Sequence, residues 1–317
     1  MRRLLPLAIL VALVLPPAAT ATIRLGVSGD KARFRSQTGQ TTTIKLGFTR
    51  WGNGLGRPGV LDNKFEENGP VPMMTFGTLN RDGREAITPR GIVRGRGDKY
   101  LAALNHAVAR FGTDVYLRPL AEMNGSWNVY CAYNANGTSR GASHSTKNYR
   151  RAFRRMYLIF HGGTRATINA RLARLNMPRL RLSNDLPVNP LVRVVWNPQG
   201  FGSPNIARNR ANAYYPGDGF VDVVANDLYD IRFKAEWTAN QRLYESHPGK
   251  AYMIGEWGLW GIDDPAFVRH MASFVRNHAR VEAIVYYRSG PPGSVFDLAT
   301  KPKSRAAYRD FITPLGD

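Results

Sequence analysis

Cysteine is nearly absent from this chain of 317 residues: Cys131 stands alone. No internal disulfide can form, so packing must hold the fold together. That one thiol is read as a small apolar filler rather than a nucleophile. Acidic residues are also scarce, 23 against 44 lysines and arginines, and only eight are glutamates. Histidine occurs six times, at His106, His144, His161, His247, His270 and His278, and no pair has zinc-site spacing with a third ligand. Neither a metal centre nor an organic cofactor is expected. Gly95-Arg96-Gly97 leads into a helical pattern but lacks the lysine–serine of a phosphate loop. Beyond the leader, no segment is apolar enough to cross a bilayer, a span of about 20 residues. No transmembrane segment is therefore expected.

What is present begins with that leader. Arg2 and Arg3, the apolar run 4–15 and the small residues Ala19-Thr20-Ala21 form the three-part pattern of a secretory signal peptide. Cleavage is expected after Ala21, with an extracellular destination. The net charge is +21. Such a field attracts polyanions, and much of it is concentrated between Arg150 and Arg181. Aromatic residues are not interleaved there as stacking platforms, so a nucleic-acid partner is not expected.

Eight short apolar or alternating segments read as strands, at 23–28, 44–50, 71–77, 114–120, 191–197, 220–227, 251–256 and 282–288. Several are nearly continuous apolar runs, which suit a parallel sheet covered on both faces. Helical patterns lie between them, at 99–110, 149–160, 264–278 and 303–312. Asp264-Pro265 supplies an N-cap followed by proline at the first helical position. Strand and helix alternate without a compositional break, which predicts an α/β fold of one domain over 22–317. Eight strand–helix repeats in under 300 residues favour a closed (β/α)8 barrel of the TIM type over an open sheet. Residues 161–189 read as a basic insertion between the fourth and fifth strands, with a helix at 165–175. This insertion and the loop 78–97 are expected at the rim where loops build a site.

In such a barrel the chemistry sits at the carboxyl ends of the strands. The fourth strand ends Arg118-Pro119-Leu120-Ala121-Glu122-Met123-Asn124-Gly125-Ser126-Trp127, and the seventh ends Ile254-Gly255-Glu256-Trp257. Each delivers one carboxylate in apolar, glycine- and tryptophan-rich surroundings. Cleavage of a glycosidic bond requires two such groups, one protonated donor and one ionised partner. Burial raises a carboxyl pKa and nearby donors lower it; Arg118 and Tyr229 are candidate donors to the ionised partner. Trp51, Trp127, Trp196 and Trp257 are candidate sugar platforms, with core packing as the competing role for Trp127, Trp196 and Trp257.

The stretch from Arg118 to Trp127 resembles the signature of glycoside hydrolase family 26, mostly β-mannanases within a clan of (β/α)8 retaining glycosidases. Pro72-Met73-Met74-Thr75 resembles its third strand, Trp196-Asn197-Pro198 its fifth, Tyr214 to Asp218 with Val221-Asp222 the approach to its sixth, and Ile254-Gly255-Glu256 its nucleophile strand. The resemblance runs from about residue 24 to residue 313. It implies Glu122 as general acid/base, Glu256 as nucleophile and Tyr229 as the residue orienting that nucleophile. Trp127 and Trp196 would line the sugar site, Arg118 would support the constellation, and Asn124 belongs to the same motif. Ala121 stands where the family usually has histidine. That departure leaves the carboxylate pair intact and opens the choice of sugar.

The expected function is that of a secreted, monomeric, retaining endo-β-glycosidase. Its partner would be a polysaccharide: a β-mannan, a β-glucan, a β-1,3-xylan or an acidic envelope polymer. A barrel that binds glycan or polyanion without turnover is the competing reading.

Overall fold

The computed structural model describes residues 22–316; the expected signal peptide lies outside them. Eight parallel strands close into a barrel in sequence order, β1 to β8. They are β1 Arg24–Ser28, β2 Ile44–Thr49, β3 Val71–Phe76, β4 Val115–Pro119, β5 Val192–Trp196, β6 Val223–Asp230, β7 Ala251–Leu259 and β8 Val281–Tyr286. The helices are α1 Lys31–Thr38, α2 Val60–Glu67, α3 Pro89–Val93, α4 Asp98–Phe111, α5 Thr146–His161, α6 Arg165–Arg174, α7 Trp237–Glu245, α8 Pro265–Asn277 and α9 Pro302–Ala307. No helix among the described residues is long and apolar enough to cross a membrane.

The strands obey a two-residue period, because successive side chains point to opposite faces. Ile44 and Leu46, Met73, Tyr116, Val195, Val223 and Ala225, Met253, and Ala283 and Val285 fill the barrel interior. Their neighbours in sequence face the helices, where Met74, Leu117, Val194, Val224, Ile254 and Ile284 join the outer core. Continuing the inner set towards the strand ends brings Thr75, Arg118, Asn197, Asp227 and Tyr287 to the mouth of the barrel.

Helix ends follow from local chemistry. Asp264 accepts from Ala266 N at 2.8 Å and starts α8, while Ser145 accepts from Asn148 N and starts α5. The chain departs from strict strand–helix alternation once. Between β5 and β6 there are three short 3-10 turns and no α-helix. Pro198, Pro204 and Pro216, with Gly200, Gly202, Gly217 and Gly219, break every helical register there.

The segment 161–189 folds as α6 and an irregular return segment on the outside of the barrel. Its two ends are pinned by mutual hydrogen bonds between Gly163 and Leu186, at 3.0 and 3.1 Å. Gly162 sits at φ 73°, and a Cβ there would lie 1.8 Å from Pro187 O, so only glycine allows this closure. The far end of the excursion is held by Arg155 of α5. Its guanidinium donates to both oxygens of Asp98, at 2.7 and 2.6 Å, and to Pro178 O and Arg179 O. The segment contributes no side chain to the cleft, contrary to the expected rim position. The 78–97 loop contributes Leu79.

Candidate active site

The backbone leaving β4 is wound tightly. Leu120 and Glu122 both take left-handed conformations, at φ 51° and 52°, which cost about 1–3 kcal/mol each in a non-glycine residue. Surrounding bonds hold them: Leu120 N donates to Phe76 O at 2.8 Å and Glu122 N to Asn197 O at 2.6 Å. Tyr130 OH donates to Ala121 O at 2.6 Å. Asn124 is fully buried and pins the β5–β6 connection, donating to Gln199 O and Phe201 O and accepting from Gln199 N. It organises the site without reaching the cleft surface.

Glu256 reaches the mouth through a break in the period. The β6–β7 register pairs Asn226 with Ile254 but Asp227 with Glu256, so Gly255 is a bulge. With Met253 facing inward, an unbroken strand would turn Glu256 outward; the extra residue turns it in. A Cβ on Gly255 would lie 2.1 Å from Asn197 Oδ1 and 3.1 Å from Asp227 Oδ1.

Arg118 is the hub. It is almost completely buried, and it donates Nε to Asn197 Oδ1 at 2.9 Å, Nη1 to Thr75 Oγ1 at 3.2 Å and to Glu256 Oε1 at 2.5 Å, and Nη2 to Asp227 Oδ2. Burial opposes its charge, but Asp227, Glu256 and Glu122 outweigh that and hold its pKa above the ordinary value. The second oxygen of Glu256 accepts from Tyr229 OH at 2.5 Å. Burial and the Glu256 charge push the Tyr229 phenol well above its usual pKa, so it stays a donor.

Glu122 faces different partners. Its Oε2 accepts from Trp127 Nε1 at 2.8 Å and its Oε1 from Gln199 Nε2, both neutral donors. Burial, and next the Glu256 charge, raise its pKa, against the pull of Trp127 and Arg118. Asp227 is raised further: burial is the largest cause, Arg118 opposes it, and Glu256 and Glu122 add to it. Three carboxyl groups therefore share one guanidinium. Asp227 Oδ1 has no hydrogen-bond partner among the described residues, and the Glu122 charge adds to the rise in the Asp227 pKa.

The open space has two arms meeting at Glu122, Trp127 and Glu256. One, of about 990 Å³, runs over β5 to β8 past Phe201, Tyr229, Ile231, Trp260 and Tyr287. The other, of about 370 Å³, runs over β2 to β4 past Phe48, Thr75, Leu79 and Ala121. Among the described residues no group of three His, Cys, Asp or Glu is arranged to hold a metal ion.

Of the residues singled out in the sequence, Glu122, Glu256, Arg118, Trp127 and Tyr229 come together here. Three tryptophans do not. Trp196 has no exposed surface and packs edge-on against Tyr215 and His247. Trp257 has none either and stacks on Tyr308 at 5.5 Å between ring centres. Trp51 is buried against Tyr100 and Phe76. Each lies off the cleft, so none can stack on a sugar from its position. Asp227, Asn197, Gln199, Trp260 and Tyr287 are site residues that the sequence reading did not select. For Asp227 the signal was present, since it lies two residues before Tyr229 and hence on the same strand face.

No family model matches the chain. A curated relative, Endoglucanase H of Acetivibrio thermocellus, is 22% identical over 296 residues, which span 88% of this chain and 28% of that protein. Among solved structures, an endo-beta-1,4-mannanase double mutant of Cellulomonas fimi aligns with TM-score 0.58 and 17% identity, over 92% of this chain and 70% of that one. The glycoside hydrolase family 26 endo-beta-1,4-mannanase catalytic domain of Bacillus sp. JAMB-750 aligns at 0.56 and 16%, over 93% and 87%. The beta-mannanase from a symbiotic protist of the termite Reticulitermes speratus, complexed with a gluco-manno-oligosaccharide, aligns at 0.57 and 13%, over 93% and 87%. The likeness to these structures is one of fold: this chain is built on the (β/α)8 barrel that the three mannanases share.

Proposed function

We propose that this protein is a secreted, retaining endo-β-glycosidase of the family 26 type, acting on a β-linked polysaccharide by double displacement. The observation that carries the reading is the asymmetry of the two glutamates around Arg118. Glu256 accepts from a guanidinium and a phenol, the environment of a carboxylate that attacks. Glu122 is partly buried, raised in pKa and contacted by neutral donors, the environment of an acid.

In the first step Glu256 attacks the anomeric carbon while Glu122 gives its proton to the leaving oxygen, forming a glycosyl-enzyme ester. The Glu256 charge is then gone, and with it the second cause of the high Glu122 pKa. Glu122 becomes the better base for taking a proton from water, which attacks the ester and frees the sugar with its original configuration. Arms on both sides of the carboxyl pair suit cleavage within a chain. The polysaccharide is a β-mannan or a related β-glycan, and Ala121, which lines the β2–β4 arm, leaves that arm open where the family has an imidazole.

Reducing-end release should be measured on a panel of neutral and acidic β-glycans with wild type, Glu122→Ala and Glu256→Ala. Removing either glutamate should lower kcat by about 10⁴-fold or more, the scale of losing a nucleophile or its proton-transfer partner. Wild-type turnover in a variant removes that residue from the mechanism. Proton NMR of the first product should show the substrate's β anomer; the α anomer would refute double displacement.

A further inference from the structure

Away from the cleft, the outer face of α5 and α6 carries an excess of one charge. Between residues 146 and 186 there are nine arginines, one lysine and a single acid, Asp185. Among the described residues only Arg155 of this set is paired with a carboxylate, that of Asp98. The others include a built cluster. Arg150 donates Nη1 to Ala213 O, and Arg154 donates Nε to Pro216 O at 2.6 Å. The Arg154 and Arg171 guanidinium groups both stand against the ring of Phe220, at 5.3 and 5.9 Å. Burial, and then the neighbouring Arg150 charge, depress the Arg154 pKa. Three like charges are thus held near one another by backbone carbonyls and an aromatic ring, and among the described residues none of the three is ion-paired with a carboxylate. Each guanidinium has five N–H donors in a planar fork, and Arg150 and Arg154 each use one on a described residue.

We infer that this face is a second, non-catalytic binding surface for a polysaccharide bearing repeated anionic groups, seated on Arg150, Arg154 and Arg171. Fixed forks suit carboxylate and sulfate oxygens, and an arriving anion relieves the mutual repulsion of the cluster. A polymer with repeated charges can continue towards the exposed Arg174, Arg179 and Arg181. Single-stranded nucleic acid is disfavoured because no large apolar or aromatic side chain between 146 and 186 is exposed as a stacking platform. The same absence disfavours insertion into a lipid surface. The surface is independent of the cleft and would stand if the glycosidase reading fell.

The test compares polygalacturonate with its fully methyl-esterified form, the same backbone without charge, for binding to the whole protein across a salt series. Wild type should bind the acid form at least tenfold more tightly, with affinity falling steeply as salt rises. Arg150→Ser/Arg154→Ser/Arg171→Ser should lose that preference, while Trp127→Ala in the cleft should keep it. Arg171→Glu/Arg174→Glu changes only exposed side chains and should weaken binding in the same direction even if the triple variant folds poorly. Equal binding of both polymers, or an unchanged preference in Arg171→Glu/Arg174→Glu, overturns the inference. Tighter binding of duplex DNA than of polygalacturonate overturns the assignment to polysaccharide.

Discussion

Arg118 and Arg155 are both fully buried, and they are balanced differently. Arg155 meets one carboxylate, Asp98, through two parallel bonds, and gives further donors to the carbonyls of Pro178 and Arg179. One positive charge faces one negative charge. Arg118 meets two carboxylates directly, Asp227 and Glu256, and lies within the field of a third, Glu122. One positive charge faces up to three negative ones. The first arrangement fastens the α5–α6 excursion against α4 with its charges balanced one to one. The second leaves a proton to be moved among carboxyl groups at the mouth of the barrel. Burial and hydrogen bonding look alike in the two places; the charge count separates a clasp from the proposed reactive centre.

The pair can be broken one side at a time. Arg118→Met should give the larger effect, lowering turnover by about 10³-fold or more, since charge stabilisation in the site goes with it. Its stability should also become strongly pH dependent. Asp227 and Glu122 have folded-state pKa values above the ordinary carboxyl range, so their protonated forms favour the fold. Stability is fully present below about pH 4, the unfolded carboxyl value, and is lost as pH rises through the raised values. Without Arg118 those values rise further, so the loss should deepen. Arg155→Met should instead cost about 3–5 kcal/mol of stability by stranding Asp98, with turnover per folded molecule within twofold of wild type. Urea unfolding between pH 4 and 8, run beside reducing-end release, reads both. Equal catalytic loss in the two variants would abolish the distinction.

Gly255 sharpens the same contrast from the backbone side. A Cβ there would sit 2.1 Å from Asn197 Oδ1, the atom that receives Arg118 Nε at 2.9 Å. Gly255→Ala must push Asn197 away and let the guanidinium shift. A displacement of about 1 Å near the reacting groups can cost about 10²-fold, and that is the loss expected in kcat, with KM changed less. Adding Asn197→Gly to make room should recover little, because Arg118 then loses the partner altogether. Full activity in Gly255→Ala would mean that Asn197 does not fix Arg118.

The barrel was legible because buried parallel strands are nearly continuous apolar runs, and Glu122 and Glu256 were legible because a carboxylate in glycine- and tryptophan-rich surroundings at a strand end is unusual. The tryptophans were misjudged for a reason that the period of two explains. Trp196 directly precedes Asn197, and Trp257 directly follows Glu256. Once the polar residue faces the cleft, its neighbour faces the helices, and both indoles join the outer core. Trp127 escapes this rule because it lies in the loop after β4. The inward turn of Glu256 was hidden, since it depends on a bulge and no strand period announces one. The expected strand ends also fell short: β6 and β7 each run three residues further, to Asp230 and Leu259, because they pair with each other above the barrel.

The smallest expected effect concerns Trp127, whose indole N–H favours the charged form of Glu122. Its ring is half exposed, and Trp127→Phe keeps an aromatic surface while deleting that donor. The Glu122 pKa should therefore rise above its already raised value. In the proposed mechanism Glu122 works protonated in the first step, so activity should be lost as pH rises through that pKa. The alkaline limb of the kcat/KM profile should thus move to higher pH in Trp127→Phe, while the acid limb stays in place. Glu256→Gln acts in the opposite sense on the same group: removing the neighbouring charge should lower the Glu122 pKa, visible by ¹³C NMR of labelled glutamate carboxyl carbons. Shifts in the same direction in the two variants would show that the alkaline limb does not belong to Glu122, and would point to Asp227 as the acid instead.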